Sequence, residues 1–165
     1  MRISAFLSLC FLFFSFTTDP VKFPSEVLND PLLDTDDKSV TLSDVLDRHK
    51  GKTVLIDMWA SWCGDCIKGI PDLQKLQAKT KSDNLVYLFL SFDNTPEIWK
   101  KEMVKLGVRG EHYFVKSGGR GPLAKGIDLD WIPRYIVVGA DGDIKLFKAI
   151  KAADKAILEA IKADQ

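Results

Sequence analysis

A chain of 165 residues, 46% hydrophobic and 28% charged, carries apolar material for one core and little left over for a second domain. Lysine plus arginine balance aspartate plus glutamate at 23 each, which leaves no basic surplus for nucleic acid or an anionic membrane surface. Three cysteines, Cys10, Cys63 and Cys66, are too few to staple a coreless secreted scaffold, so the close pair calls for an explanation in chemistry or metal binding.

The N-terminus differs from everything after it. Met1-Arg2 leads into an uncharged apolar run, Ile3 to Phe16, which stops at Thr17-Thr18-Asp19-Pro20. The run is shorter than the roughly 20 residues of a membrane span and fits a secretory signal, with an uncleaved anchor through residues 3–16 or a buried N-terminal helix as alternatives. Residues 1–18 are therefore read as signal peptide or N-terminal anchor, and the protein is expected outside the cytosol, in a periplasmic or extracytoplasmic compartment. Cys10 lies inside the run, and Leu9 before it lacks the small side chain of a lipid-attachment site, so Cys10 is read as a passenger. Residues 19–32 are rich in proline and polar side chains and are expected to be an extended lead-in, with 33–165 as the folded domain.

Within that domain the pattern predicts a turn at Asp36-Asp37, a short strand near Ser39 to Thr41, and a brief helix capped by Thr41 or Ser43 and closed by Gly51. Thr53 to Ala60 (TVLIDMWA) is an almost unbroken apolar run of strand length, as a strand covered on both faces requires, and Asp57 is its one exception. A helix is expected from Cys63 to about Lys81, with Ile67, Ile70, Leu73 and Leu76 on one side and Pro71 as a kink. Leu85 to Phe92 reads as a second buried strand. Thr95-Pro96-Glu97 has the hydroxyl, proline and acid of a helix start, and that helix runs to about Leu106. Gly107 to Gly126 reads as loop-rich, with glycines Gly107, Gly110, Gly118, Gly119 and Gly121. Arg134 to Gly139 is a third strand, Asp141-Gly142 a hairpin turn into DIKLFKA, and Ala152 to Ala163 an amphipathic helix with Ile157, Leu158 and Ile161 inward. Strands and helices alternating before a final hairpin and helix imply an α/β three-layer sandwich.

Trp62-Cys63-Gly64-Asp65-Cys66 falls where a buried strand gives way to a helix. A cysteine at a helix N-terminus faces unpaired N–H groups and the positive dipole end, both of which favour its thiolate. Two intervening residues let the second sulfur close a disulfide with the first. Cys63 is then the exposed attacking thiolate, Cys66 the resolving thiol, and Gly64 and Asp65 the positions that tune the pair. A structural zinc would need two further ligands, and the only histidines, His49 and His112, are scattered and read as surface residues, so no metal is expected. Asp57 precedes Cys63 by six residues in the middle of an apolar strand. It is either an edge position or cap, or a buried base of raised pKa that takes the proton from Cys66, through water, as a mixed disulfide resolves. Pro133 opens a strand, as an ordinary trans proline or as a cis bond in a tight turn. Trp59 and Trp62 flank the site, and Trp62 with Trp131 either packs or presents a flat apolar surface to a partner. The lysines Lys148, Lys151 and Lys155 are read as a solvated face.

DMWASWCGDC, the helix proline Pro71 and WIPRYIVVGADGDI together resemble the thioredoxin superfamily. The insertion between Phe92 and Ile132, the SVTLSDVL lead-in and the leader are most similar to its extracytoplasmic TlpA/ResA-like branch. The resemblance runs from Leu33 to the C-terminus. It implies a thioredoxin-like sandwich with a central mixed sheet and helices on both faces. It also implies a dithiol reductase of protein disulfides, with Asp57 as the buried acid and a substrate chain lying antiparallel to the backbone at Ile132, in the loop that carries Pro133. Such a protein needs no bound cofactor, only a membrane or soluble thiol donor that re-reduces the pair. Asp65 departs from the family, where proline is usual; a carboxylate beside Cys63 opposes thiolate formation and should bias the pair towards reducing behaviour. Two other readings remain, a thiol peroxidase on the same fold and a non-catalytic binding module with a structural disulfide, and a buried Cys63 would favour the latter.

Overall fold

A computed structural model describes residues 19–164. The leader assigned to residues 1–18, with Cys10, lies outside the described residues, and no described helix is long and apolar enough to cross a membrane. The organising element is a strand, β3 (Thr53–Trp59), with all seven residues buried. Successive strand side chains point to opposite faces, so burial of every one means that both faces of the sheet are covered. Two further strands with apolar runs flank it, β4 (Leu85–Ser91) in parallel and β6 (Arg134–Val138) antiparallel. Outward from β4 lie β5 (Glu111–Val115), parallel to it, then β1 (Pro31–Leu33) and β2 (Ser39–Thr41), each antiparallel to its inner neighbour. On the far side β7 (Ile144–Ala149) pairs antiparallel with β6, completing a mixed seven-stranded sheet of order β2-β1-β5-β4-β3-β6-β7. The α/β sandwich with a central mixed sheet is the architecture expected.

The helices begin where the sequence places caps. In α2 (Leu42–Arg48) the Thr41 hydroxyl accepts the Asp44 N–H at 3.1 Å while the Asp44 carboxylate accepts the Thr41 N–H at 2.8 Å, a reciprocal capping box. Helix α4 (Pro96–Leu106) is capped by Thr95, whose hydroxyl accepts the Ile98 N–H at 3.3 Å, and closes at Gly107 with φ +60°. The last helix, α6 (Lys155–Asp164), buries Ile157 and Ile161; its terminal Asp164 carboxylate accepts the Thr53 hydroxyl at 2.7 Å and the Ala140 N–H at 2.8 Å, docking the helix on the base of β3.

Several expectations need correction. Residues 19–32 are not a plain extended lead-in. They form one helical turn, α1 (Ser25–Leu28), and the start of β1, so the sheet begins before residue 33. Phe23, Val27, Asp30 and Leu32 are buried, and these apolar contacts outweigh the local preference of a proline-rich segment. The stretch from Gly107 to Gly126 is not all loop. It holds β5, a 3₁₀ turn at Gly118–Arg120, and α5 (Pro122–Gly126), a strand and two short helices hidden from periodicity by their length and by the glycines between them. Gly126 has no room for a side chain, because a Cβ there would stand 2.3 Å from the Val27 Cγ2. Ile67 faces outward at 44% exposure, since Cys66, Leu73, Leu76 and Gln77 make the buried stripe of its helix. Neither histidine is a plain surface residue. His49 Nε2 lies 2.9 Å from Glu111 Oε1. His112 stacks on Phe89 with centroids 4.6 Å apart, and burial pushes its pKa down to about 4, so the ring is neutral.

Asp30 joins the N-terminal segment to the long connection after β5. One of its carboxylate oxygens accepts the Ser117 hydroxyl at 2.6 Å and the Leu123 N–H at 2.8 Å, and the residue is 1% exposed. Asp30→Ala strands both donors, and we expect a loss of about 2–3 kcal/mol in urea denaturation; a loss below about 0.5 kcal/mol would show that water replaces the carboxylate.

Candidate active site

Strand β3 ends at Trp59, and a tight turn carries the chain into α3 (Gly64–Lys79). That turn is tied down by Asp93, a buried residue just beyond β4. Asp93 Oδ1 accepts the Ser61 N–H at 2.9 Å and the Ser61 hydroxyl at 2.6 Å, while Oδ2 accepts the Ser91 hydroxyl at 2.8 Å. Cys63 is the N-cap of α3 and is joined to Cys66 by a disulfide. The Cys66 N–H donates to Cys63 Sγ at 3.1 Å, so the sulfur occupies the place of a capping oxygen at the positive end of a sixteen-residue helix. Asp65 sits exposed in the first turn, where it suits the helix dipole and adds negative charge beside the sulfur. Contrary to expectation, Cys63 is not openly exposed. At 6% it is barely more accessible than Cys66 at 4%, because the Ile132 carbonyl oxygen stands 3.4 Å from its sulfur.

The Ile132-Pro133 bond is cis and lies between Trp131 and the start of β6. Of the two peptide geometries left open by the sequence, the structure has the cis one, and the Ile132 carbonyl faces Cys63. Trp62 and Trp131 are exposed at 60% and 56%, as large apolar faces on either side. An open groove runs between them, lined also by Phe92, Asn94, Arg120 and Ile132. A second groove, on the other side of Trp131, is lined by Asp65, Asp72, Pro133 and Tyr135. The loop from Trp131 to Pro133 thus forms a ridge between two clefts beside the disulfide.

Asp57 is neither an edge residue nor a cap. It sits on the central strand at 4% exposure, opposite Phe89 on β4 and Tyr135 on β6. Its Oδ1 is buried without a hydrogen-bond partner. Burial raises the Asp57 pKa to about 8, and the Tyr135 hydroxyl beside it pulls the other way. The Tyr135 phenol is itself pushed up, first by burial and then by the Asp57 carboxyl.

The structure therefore brings Cys63, Cys66, Gly64, Asp65, Trp62, Ile132 and Pro133 to one end of the sheet, with Asp57 buried in the strand that leads there. Sequence reasoning missed Asp93 and Tyr135. Tyr135 reads as one more apolar strand residue until the register places it across from Asp57. Asp93 lies in a polar stretch, and only the fold brings it against Ser61. Among the described residues no group of three or more histidine, cysteine, aspartate or glutamate side chains is placed to hold a metal ion.

A family model described as Redoxin matches residues 16–160. The thiol-disulfide oxidoreductase ResA of Bacillus thuringiensis subsp. konkukian is 30% identical over 126 residues, 76% of this chain and 69% of that protein. A chloroplast thioredoxin-like protein of Arabidopsis thaliana is 33% identical over 64 residues, 39% of this chain but 23% of its own length. With the other first curated relatives it is matched over only 23 to 54% of its length, so the chain spans about half of them or less. Among solved structures, the thioredoxin domain of a thiol-disulfide oxidoreductase from Bacteroides vulgatus superposes with a TM-score of 0.66 at 23% identity, over 90% of this chain and 98% of that one.

The state of Asp57 has a consequence for stability. Between its unfolded value of 3.8 and its folded value of about 8, the folded protein holds a proton that the unfolded chain releases. Stability therefore falls as pH rises through that window. Asp57→Asn removes this dependence, so we expect it to match the wild type near pH 4 and to exceed it by several kcal/mol, about 5 at most, at pH 8, in urea denaturation of the oxidised protein. Equal stability at pH 8 would mean that the folded site accepts the carboxylate anion without penalty.

Proposed function

The chain belongs to the Redoxin family, within the thioredoxin superfamily and akin to its TlpA/ResA-like branch, and from that membership we propose that it is an exported reductase of protein disulfides, acting through Cys63 and Cys66. The observation that carries the proposal is the position of Cys63 Sγ, which receives the Cys66 N–H at the head of α3 and faces the Ile132 carbonyl across a groove edge. Export rests on the apolar run from Ile3 to Phe16 after Met1-Arg2.

In the reduced protein the Cys63 thiolate attacks one sulfur of a substrate disulfide. A mixed disulfide forms, and the other substrate sulfur leaves as a thiolate that takes up a proton. In the fraction of molecules whose Asp57 is ionised, the Cys66 thiol then gives its proton to the Asp57 carboxylate, through water, and attacks Cys63 Sγ; the departing substrate sulfur takes up a proton in turn. The mixed disulfide breaks, the second substrate thiol is released, and the Cys63–Cys66 disulfide is formed. Two electrons have passed to the substrate. A membrane or soluble dithiol donor returns them by the same exchange in reverse, and no bound cofactor is needed. An anion-forming carboxyl with a pKa of about 8 suits Asp57 to this work, because it is protonated or not according to small changes around neutral pH. The substrate chain would lie in extended form along the Trp131–Pro133 ridge, bonding the Ile132 backbone, with Trp62 covering the cleft opposite.

One observation favours a second reading, a non-catalytic module that keeps a structural disulfide, since Cys63 is nearly as buried as Cys66. The reduction potential separates the two. Equilibrated against defined thiol buffers, the pair is expected near the thioredoxin value of about −270 mV. A value near −120 mV would make the protein a disulfide donor, and resistance to reduction at about −300 mV or below would make the bond structural. Asp65 adds a separate expectation. Asp65→Asn removes a negative charge beside Cys63, so the reduced thiol should alkylate about threefold faster at neutral pH; an unchanged rate would show that solvent screens the carboxylate.

A further inference from the structure

The ridge that faces Cys63 is held from beneath by a buried cation. Arg134, the first residue of β6, is 0% exposed. Its guanidinium reaches back along its own chain, donating from Nη1 to the Ile127 carbonyl and from Nη2 to the Asp128 carbonyl, both at 3.4 Å, and pairing with the Asp130 carboxylate. The other Asp130 oxygen receives Lys148 Nζ from β7 at 2.8 Å, so Lys148 is a participant and not part of a merely solvated face. Asp128 has φ +51°, the left-handed region that side-chain-bearing residues adopt rarely. Arg134 Nε is buried without a partner, so every hydrogen bond of this guanidinium runs to the single segment 127–130.

Stability alone is a poor reason for this arrangement. A buried cation whose one counter-ion is 62% exposed gains little over an apolar side chain of the same volume. What a planar, five-donor fork does, and a methionine or lysine cannot, is to hold two carbonyls and a carboxylate in one fixed relation. The segment so held contributes Leu129 and Asp130 to the groove beside Trp62, and it runs without interruption into Trp131 and Ile132.

We propose that Arg134, with Asp130 and Lys148, is a positioning residue for the polypeptide substrate, setting where the Trp131 side chain and Ile132 backbone stand relative to Cys63 Sγ. It rests on the reductase reading given above, and it assigns to this cluster the binding of a protein chain and not the reactivity of the sulfurs.

The test compares the full-length wild type with Arg134→Lys, which keeps the charge and loses the fork, and with Asp130→Asn at the exposed end of the cluster. Reduction of insulin, with a small dithiol supplying electrons, gives KM and kcat. Iodoacetamide alkylation of reduced Cys63 and the potential of the pair report the sulfurs without a bound protein chain. Both variants are expected to raise KM about tenfold, with kcat within about twofold of wild type and with alkylation rate and potential unchanged. An unchanged KM in folded Asp130→Asn overturns the proposal, whatever the fate of Arg134→Lys. So does a rise in KM accompanied by an equal change in alkylation or potential, which marks a general disturbance of the site. A wild type that cannot reduce insulin removes the reductase reading and this inference together, whereas an active wild type with variants of normal KM removes this inference alone.

Discussion

Everything at the active end of this protein depends on a sulfur that serves as a helix cap. Cys63 Sγ takes the Cys66 N–H where a serine or aspartate oxygen would ordinarily sit. The same group therefore finishes a secondary-structure element and forms the disulfide with Cys66. This is possible only because β3, buried on both faces, fixes the point from which α3 departs. The turn between them is in turn pinned to the end of β4 by Asp93, which binds Ser61 twice and Ser91 once. The sulfur's position is thus inherited from the centre of the sheet, with no reliance on the surface around it.

Four buried ionisable side chains, Asp30, Asp57, Asp93 and Arg134, surround this construction, and they have different physical standing. Asp30 and Asp93 accept short hydrogen bonds from backbone and hydroxyl donors and tie separate segments together. Arg134 is neutralised by Asp130 and restrains a loop. Asp57 has no backbone or serine donor on either oxygen, only the Tyr135 hydroxyl beside it, and burial favours its protonated form up to a pH of about 8. Asp57 is thus held in a form that burial dictates, on the strand that delivers the cysteines, at a cost to folding stability that grows as pH rises.

The remaining wall of the site comes from the long connection between β5 and β6. It is anchored at its start by Asp30, through Ser117 and Leu123, and at its end by Arg134, through residues 127–130. The N-terminal segment takes part as well: Val27 packs against Gly126, and the Val21 carbonyl accepts the Ile144 N–H at 2.7 Å. The connection that ends in the ridge of Trp131, Ile132 and Pro133 is therefore supported at both of its own ends, while Trp62 and Trp131 stay uncovered.

The sequence by itself determined the elements whose signals are local. The runs at Thr53 to Ala60 and Leu85 to Phe92 are buried strands because nothing in them tolerates water. Thr41 and Thr95 cap helices because a hydroxyl at that place satisfies an otherwise free N–H. The spacing of Cys63 and Cys66 permits a disulfide wherever the chain is placed. Tertiary structure alone decided the rest, since it depends on residues distant in sequence. Burial of Phe23 and Val27 folded an apparently extended lead-in, and pairing with β4 made a strand of Glu111–Val115. The cis geometry at Pro133 and the approach of the Ile132 carbonyl to Cys63 belong to a loop sixty-nine residues away from that cysteine. The character of Asp57 was decided in the same way: its place in the sequence raised the question, and only the register with Phe89 and Tyr135 supplied the dry surroundings that keep its proton in place.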